Sequence, residues 1–320
     1  MGRWCALVLL LAWLPARAQT EPDELWLDSP ALSARPMRVR VLLPPGYADG
    51  TQRYPVLYVN DGQDLEDVGG VETVQSLEST GAIEPLIVVA IDMPPDRLRG
   101  YGLFDRGARH AIPAQTEYGP VGANAWAYAQ WITGTLVPEV DARYRTRASG
   151  EQRAIVGWSL GALSAFGLGW EYPGVFGRIG AFSPSFWVSA DRGTPDDVQA
   201  TRLAHRLVDA GASLPRPKLF VAVGTDEETD DRDGDGVIDV IDDARDLLEG
   251  WKAPDGTARK GLSQWGYRVN PDYARHPTPA EAVLYLLEGG QHNQASWTRV
   301  LPVFLQWAFG TRSPGQQANP

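Results

Sequence analysis

The chain has 320 residues, a formal net charge of −11 at pH 7 and one cysteine, Cys5. This acidic balance argues against nucleic acid and anionic membrane surfaces as partners. A single cysteine excludes a disulfide within the chain and a thiolate metal site. The length suits one large domain with a substantial core.

Residues 1–18 predict a signal peptide. Arg3 gives a basic start, residues 4–14 are apolar, and Ala16-Arg17-Ala18 is a small-x-small cleavage site. The apolar stretch is too short to span a bilayer, and no later stretch predicts a membrane helix. We therefore expect an exported protein, periplasmic or secreted, whose mature part is a single domain over residues 19–320.

Apolar runs and helical patterns alternate along the rest of the chain. Strands are predicted at residues 37–43, 54–59, 85–91, 154–156, 179–183, 218–223 and 282–287. Helices are predicted at residues 71–80, 125–140, 160–170, 196–210, 244–251 and 297–309. This alternation is typical of an α/β fold with a mostly parallel sheet and helices on both faces. The long loop at residues 92–122 leaves the carboxyl end of a central strand, and such loops are often functional.

The strongest chemical signal is the pentapeptide Gly157-Trp158-Ser159-Leu160-Gly161. It lies between a predicted strand and a predicted helix, the context in which Gly-x-Ser-x-Gly forms a nucleophile elbow. Glycines on both sides of the serine allow the neighbouring strand and helix to approach closely. The helix N-terminus adds a positive dipole end beside a developing anion. Ser159 is therefore the predicted nucleophile.

A serine hydroxyl needs a base, and histidine is the usual one. The chain has four histidines. His292 follows the last predicted strand, on the sheet edge that presents Ser159, so the two side chains can meet. His205 lies in a helical pattern and is expected on the surface. His276 lies in a loop, and His110 lies in the long loop, where it could contact substrate.

The acid that orients the base should follow the strand between nucleophile and base in the chain. Asp226, Glu227 and Glu228 occupy that position, and the sequence pattern does not choose among them. An oxyanion hole needs two backbone N–H groups. One comes from Leu160, directly after the nucleophile, and we expect the other from Gln63, in a loop after an earlier strand.

Five segments together carry a resemblance to a known family, over about residues 36–309. They are Tyr54-Pro-Val-Leu-Tyr-Val-Asn-Asp-Gly-Gln63, Arg153-Ala-Ile-Val-Gly-Trp-Ser-Leu-Gly-Ala162, Tyr172-Pro-Gly-Val-Phe-Gly177, Ala181-Phe-Ser-Pro-Ser-Phe-Trp187, and Gly289-Gly-Gln-His292 with Trp297. The chain resembles the putative-esterase family of α/β-hydrolases, which includes esterase D, enterochelin esterases, feruloyl esterases and the antigen 85 mycolyltransferases.

The resemblance implies an α/β-hydrolase fold and hydrolysis of a carboxylic ester through an acyl-enzyme. It implies Ser159 as nucleophile, His292 as base, and Gln63 and Leu160 as oxyanion donors. In the family the acid commonly follows Gly-Thr by two positions, which implies Glu227, with Asp226 next. Some relatives manage with a Ser–His pair. Two positions depart from the usual pattern: Trp158, which would narrow the pocket, and Ala162 in place of a glycine.

A second motif, at residues 231–242, fits the twelve-residue calcium-binding pattern, in which oxygen ligands surround one point. The expected ligands are the carboxylates of Asp231, Asp233, Asp235 and Asp242, the carbonyl of Val237, and Asp239 through water. Carboxylates crowded in this way would otherwise repel one another. We expect a structural Ca²⁺ that orders an inserted segment at about residues 228–279, and no organic cofactor.

The expected substrate is a small-molecule or sugar-linked ester. Six aromatic residues, which would equally suit a core, are expected near the cleft: Tyr101, Phe104, Trp126, Trp158, Phe186 and Trp187. Three alternatives stay open at this point: an acyltransferase, a serine peptidase of the same fold, and a non-catalytic calcium-dependent binding protein. The type of acyl and alcohol group is not written in the sequence.

Overall fold

The computed structural model describes residues 22–311. The predicted signal peptide, residues 1–18, lies outside the described residues, and the division into a leader and one mature domain stays a prediction. The strands are β1 (Asp23–Leu27), β2 (Met37–Leu42), β3 (Val56–Val59), β4 (Ile87–Ile91), β5 (Leu103–Asp105), β6 (His110–Ile112), β7 (Ala114–Thr116), β8 (Gly119–Val121), β9 (Arg153–Trp158), β10 (Arg178–Phe182), β11 (Lys218–Gly224), β12 (Trp251–Lys252), β13 (Ala258–Arg259), β14 (Val269–Asn270) and β15 (Ala282–Leu287).

The helices pack on both faces of the main sheet. They are α1 (Gly70–Ser79), α2 (Arg97–Gly100), α3 (Ala125–Trp131), α4 (Val137–Arg143), α5 (Leu160–Glu171), α6 (Pro195–Thr201), α7 (Leu203–Ala210), α8 (Asp239–Glu249) and α9 (Gln294–Phe309). One core layer includes buried side chains of α3, α5 and α8, and the layer on the other face includes those of α9. None of the helices within residues 22–311 has the length and apolar character to cross a membrane.

The main sheet has nine strands in the order β1-β2-β4-β3-β9-β10-β11-β15-β14. β1, β2 and β4 pair antiparallel, and every pair from β4 to β14 is parallel. All six residues of β9 are buried, as expected for a parallel strand covered on both faces. Consequently the carboxyl ends of β3, β4, β9, β10, β11 and β15 meet at one edge of the sheet.

Two helical predictions differ from the structure in detail. The helix predicted at residues 125–140 ends at Arg143 and contains a π-helical turn, Ile132–Leu136. The helix predicted at residues 196–210 breaks at Arg202, where φ is −53° and ψ is 121°. The guanidinium of Arg202 is fully buried and pairs with Asp243 at 2.5 Å. This ion pair to α8 is a long-range contact that a helical pattern does not reveal.

The loop at residues 92–122 contains structure of its own. It holds the short helix α2 and two antiparallel hairpins, β5–β6 and β7–β8. Strands β1 and β14 were also absent from the prediction, and both lie at the edges of the main sheet. These strands are five and two residues long, and so short a run shows little periodicity.

Candidate active site

Ser159 sits at the sharp turn between β9 and α5. Its φ is 57° and its ψ is −125°, a region that non-glycine residues rarely adopt. Strain of this kind is common at functional sites. The turn is held because Ser159 N–H donates to Phe182 O at 3.0 Å. A Cβ on Gly161 would lie 2.5 Å from Asp61 Oδ2, so only glycine fits there.

His292 lies on the loop between β15 and α9, at the same edge of the sheet. Its Nδ1 lies 3.1 Å from Glu227 Oε2. A carboxylate only accepts hydrogen bonds, so Nδ1 carries the proton and Nε2 is left with a free lone pair. The imidazole is 43% exposed and the Glu227 side chain only 2%. A histidine held in this way can accept a proton from a hydroxyl group on the same edge of the sheet.

Glu227 is anchored on its other carboxylate oxygen. Oε1 accepts from Ser183 Oγ at 2.7 Å and from Gly224 N–H at 2.6 Å. A buried carboxylate with such partners can orient an imidazole and stabilise its cation. Of the three acidic side chains that the sequence left open, the structure brings this one to His292.

The two other candidates point elsewhere. Asp226 is exposed, and its nearest polar contact is Thr225 Oγ1 at 3.5 Å. Glu228 turns toward α8, where its Oε1 accepts from Val240 N–H at 2.7 Å. Burial raises the pKa of the Glu228 carboxyl to about 7.

The expected oxyanion donors lie just after two neighbouring strands, β9 and β3. Leu160 lines the cleft beside Ser159. Gln63 lies in a short 3-10 helix, Gly62–Asp64, and its side-chain oxygen accepts from Met93 N–H at 3.0 Å. Within residues 22–311, Gln63 is not among the side chains that line the cleft, and its role stays a prediction.

An ion pair beneath these loops was not anticipated from the sequence. Arg97 donates to both carboxylate oxygens of Asp61 at 2.8 Å, and its Nη2 lies 3.3 Å from Trp158 O. Burial raises the pKa of the Asp61 carboxyl, and the hydrogen bonds from Arg97 oppose that shift. Tyr101 OH accepts from Asp61 N–H at 3.0 Å. These contacts attach the long loop to the segment that follows β3, next to the turn at Ser159.

The site opens into a cleft of about 900 Å³ that Ser159, His292 and Glu227 all line. Of the six aromatic residues expected there, Trp187 alone is among the side chains that line this cleft in the described chain. Tyr101, Phe104, Trp158 and Phe186 are buried core residues, and Trp126 packs against the core. Trp158 therefore does not narrow the pocket. The sequence interpretation missed Tyr118, which is 67% exposed and lies 6.2 Å from Trp187 between ring centroids.

The remaining histidines lie outside the cleft. His205 was expected on the surface, but it is 1% exposed and its Nε2 contacts Asp243 O at 2.8 Å. Burial lowers the pKa of His205 well below its usual value. His110 and His276 are exposed, and neither lines the cleft as described over residues 22–311. His110 is therefore not placed to contact a substrate in this cleft.

The acidic loop brings three of its predicted ligands together. Carboxylate oxygens of Asp231, Asp233 and Asp235 all lie within 4.8 Å of one another. Hydrogen bonds from the N–H groups of Gly236 and Gly234 to Asp231 lower the pKa of its carboxyl. Both glycines have positive φ values, 90° and 73°, so the turn that gathers the carboxylates needs glycine.

Two further predicted ligands behave differently. Asp242 is not in this group of three within the described residues, and burial, followed by repulsion from Asp235 and Asp233, raises the pKa of its carboxyl to about 6. Asp239 faces Arg232 instead: its Oδ1 accepts from Arg232 N–H at 2.7 Å, and its Oδ2 lies 3.5 Å from the guanidinium. Asp239 thus has a partner within the protein, and its role as a calcium ligand stays a prediction. The three gathered carboxylates are oxygen ligands of the kind that Ca²⁺ prefers, and Asp242 and the Val237 carbonyl stay predicted ligands.

The fold is that of solved α/β-hydrolase esterases. The enterobactin esterase FES from Shigella flexneri has a TM-score of 0.59 at 18% identity, over 91% of this chain and 60% of that one. An IroE-like serine hydrolase from Shewanella oneidensis has a TM-score of 0.60 at 21% identity, over 89% and 79%. A ferulic acid esterase has a TM-score of 0.59 at 17% identity, over 90% and 96%. The predicted α/β-hydrolase fold is confirmed.

Sequence relatives match about half of the chain, and a family model matches most of it. The uncharacterized protein YbbA of Bacillus subtilis is 28% identical over 150 residues, which are 47% of this chain and 57% of YbbA. Esterase Rv1288 of Mycobacterium tuberculosis is 28% identical over 145 residues, which are 45% of this chain and 28% of that protein. The chain thus matches about half of the first relative's length and less of the second's. The model of the family described as putative esterase matches residues 29–262, and the chain therefore belongs to the putative esterase family, as its motifs predicted.

Proposed function

We propose that this protein is an exported serine esterase that hydrolyses a carboxylic ester through an acyl-enzyme. The observation that carries the proposal is the His292–Glu227 contact of 3.1 Å on the sheet edge where Ser159 adopts its strained turn. Membership of the putative esterase family supports the reaction class. The proposed export rests on the leader-like sequence of residues 1–18.

The mechanism assigns one task to each group. His292 removes the proton from Ser159 Oγ as this oxygen attacks the ester carbonyl carbon, and Glu227 stabilises the resulting imidazolium. Backbone N–H groups of Leu160 and Gln63 stabilise the oxyanion of the tetrahedral intermediate. Collapse of this intermediate expels the alcohol, which takes the proton from His292. Water then repeats the sequence on the acyl-enzyme and releases the acid.

The volume of the cleft is evidence for a substrate of small-molecule size. Its volume of about 900 Å³ is in the range of ligand sites, roughly 300–1,000 Å³. Tyr118 and Trp187 offer aromatic faces, and Arg192 lies 5.1 Å above the Trp187 ring. Aromatic and sugar-linked esters are the first candidates, because rings of both kinds stack on aromatic side chains. The solved neighbours include proteins named for enterobactin and ferulic acid.

The test is a series of p-nitrophenyl and feruloyl esters, with Ser159→Ala and His292→Ala as paired variants. Each variant should lower kcat by about a million-fold if the two residues act as a unit. A peptide and a sugar acceptor in parallel assays distinguish a peptidase or an acyltransferase. If Ser159→Ala hydrolyses these esters as fast as the wild-type protein, the proposal is wrong.

We also propose that residues 231–242 bind one structural Ca²⁺. Asp231, Asp233, Asp235 and Asp242 would hold the ion with the carbonyl of Val237. The ion would neutralise repulsion among these carboxylates and order the segment that follows the acid. Asp231 also lines the cleft, so we expect an indirect effect of the ion on activity and no role in the bond-breaking step.

A further inference from the structure

Two residues outside the Ser–His–acid set determine where the Glu227 carboxylate points. Oε1 of Glu227 accepts hydrogen bonds from Ser183 Oγ and Gly224 N–H, at 2.7 and 2.6 Å. Oε2 faces His292 Nδ1 at 3.1 Å. One oxygen of the carboxylate is therefore fixed by the scaffold, and the other is left for the imidazole.

The hydroxyl of Ser183 has its direction imposed by Trp297. The indole Nε1 of Trp297 lies 2.8 Å from Ser183 Oγ, in a buried environment. An indole N–H can only donate, so it occupies a lone pair of the serine oxygen. The single hydroxyl hydrogen is then free to be donated to Glu227. Hydrogen bonds in such a chain polarise one another and strengthen the last bond.

The backbone of Ser183 is strained in order to present this hydroxyl. Its φ is 45°, in the left-handed region, which residues with a side chain rarely adopt because Cβ crowds the backbone there. Ser183 N–H donates to Ala222 O at 2.7 Å, which ties the turn to strand β11. Glycine would remove the strain. A buried serine at this position is therefore explained by its hydroxyl and not by its backbone.

Trp297 also packs against Trp158, the residue before the nucleophile, and against the base, His292. Its ring stacks on Trp158, directly before the nucleophile, at 5.6 Å between centroids and an interplanar angle of 16°. Its edge packs against the His292 imidazole at 5.6 Å and 80°. One side chain thus contacts the strand of the nucleophile, the base, and the serine that holds the acid.

We propose that Ser183 and Trp297 are positioning residues for the catalytic acid and base, acting through a Trp297–Ser183–Glu227 hydrogen-bond relay. This inference rests on the proposed esterase function. The relay holds Glu227 in the orientation that keeps His292 in the productive tautomer. A merely structural role would require only that the buried polar groups be satisfied, without an effect on turnover.

The central experiment compares Ser183→Ala with Ser183→Gly. Both variants lack the hydroxyl, so both should lose kcat to the same extent, about 10- to 100-fold, with little change in KM. Glycine relieves the positive φ, so Ser183→Gly should melt at least as high as Ser183→Ala. Activity and stability are thereby separated. Ser189→Ala, a fully buried serine outside the cleft, is the matched control and should retain kcat.

Two further variants test the coupling. In a Glu227→Gln background, Ser183→Ala should have no additional effect on kcat, since the hydroxyl acts only through the acid. Trp297→Phe keeps an aromatic ring against Trp158 but removes the N–H, and should lower kcat less than Ser183→Ala. Additive losses from Ser183→Ala and Glu227→Gln would overturn the relay, as would full activity in both Ser183 variants. Loss in Ser183→Ala with full kcat in Ser183→Gly would show that strain, not the hydroxyl, matters.

A spectroscopic readout separates failure of the relay from failure of the esterase proposal. A His Nδ1–H proton bonded to a carboxylate gives a far-downfield proton resonance, which does not require turnover. The wild-type protein should show this signal, Glu227→Gln should lose it, and Ser183→Ala should weaken or shift it. If the wild-type protein hydrolyses none of the esters but these spectral changes occur, the proposed esterase function is wrong and the proposed relay is supported. An unchanged signal in Ser183→Ala overturns the relay.

Discussion

At the scale of single residues, burial and partners distinguish the candidate acids more sharply than their spacing in the chain. Asp226, Glu227 and Glu228 are consecutive, yet only the Glu227 side chain is both buried and in contact with His292. Asp226 faces solvent, where a carboxylate is hydrated and cannot hold an imidazole in one orientation. The acid must be buried and must contact the imidazole, and of the three adjacent positions Glu227 meets both requirements.

We predict that Glu227→Gln lowers kcat by about 10⁴-fold, as expected when the acid of such a set is neutralised. Asp226→Asn and Glu228→Gln should leave kcat close to that of the wild-type protein. The three variants are compared by steady-state kinetics on the best p-nitrophenyl ester, after circular dichroism has verified that each is folded. A larger loss in Asp226→Asn than in Glu227→Gln would contradict the assignment.

A second residue-scale prediction concerns Glu78 on α1, far from the cleft. Burial raises the pKa of the Glu78 carboxyl from 4.5 to about 7, against one hydrogen bond from Leu86 N–H. The folded protein binds this proton more tightly than the unfolded chain, so its stability should fall as pH rises from 4.5 through 7. Glu78→Gln keeps the acceptor and removes the charge.

At pH 8 the Glu78→Gln variant should therefore unfold at a higher urea concentration than the wild-type protein. Its free energy of unfolding should be higher by at most about 3 kcal/mol, and by less than that because solvent screens the group. At pH 4 the two proteins should be equally stable. Glu72→Gln, an exposed glutamate on the same helix, is the control. Equal stability of wild type and Glu78→Gln at pH 8 would contradict the prediction.

At the scale of elements, the site depends on loops that are held to one another at the carboxyl edge of the sheet. The long segment at residues 92–122 is attached through α2, whose Arg97 pairs with Asp61 at 2.8 Å. Asp61 is 1% exposed, and its carboxylate lies against the start of α5 at Gly161. The segment therefore stabilises the turn at Ser159, in addition to lining the cleft.

Arg97→Met should destabilise the protein by about 3 kcal/mol, because it leaves the Asp61 carboxylate buried without a counter-charge. Arg97→Met combined with Asp61→Asn should recover most of this loss. Arg99→Met is the matched control on the same helix: it removes an exposed contact of 3.9 Å to Asp96 and should cost less than about 0.5 kcal/mol. Urea unfolding measures all three, and equal effects of Arg97→Met and Arg99→Met would show that the pair contributes no more than a surface contact.

At the scale of the whole molecule, the acidic loop links the metal proposal to global stability. The loop continues into α8, whose Asp243 pairs with Arg202, the residue between α6 and α7. Arg232 of the loop also contacts Asp243. An ion that orders residues 231–242 should therefore stabilise this side of the domain and not the loop alone.

Saturating Ca²⁺ should stabilise the folded protein by about 2.7 kcal/mol at a concentration one hundred times Kd. A chelator should lower the melting temperature, and Asp233→Ala with Asp235→Ala should abolish the calcium response. Asp255→Ala, in an exposed acidic turn outside the loop, should keep the response. Calorimetry at millimolar Ca²⁺ gives the stoichiometry, and absence of binding to the wild-type protein would refute the site.

The order of the main elements and the place of Ser159 at the turn between β9 and α5 followed from the sequence alone. Buried parallel strands require continuous apolar runs, and the elbow requires glycines at fixed spacing, so both signals are local and visible in the chain. The position of His292 followed because loops after parallel strands emerge at one edge of the sheet. Family membership was also evident from motifs spread along residues 36–309.

The tertiary structure decided what depends on contacts between distant segments. It decided that Glu227 is the carboxylate that faces His292, and that Ser183 anchors it. It also decided the Arg97–Asp61 pair. The partners in each of these contacts are far apart in the chain. Asp239 fits the calcium spacing, and the structure also pairs it with Arg232, a contact that a ligand pattern does not encode. Most of the aromatic residues expected in the cleft lie in the core. Apolar character predicts that a side chain is buried, but it does not distinguish a core position from one that lines a cleft.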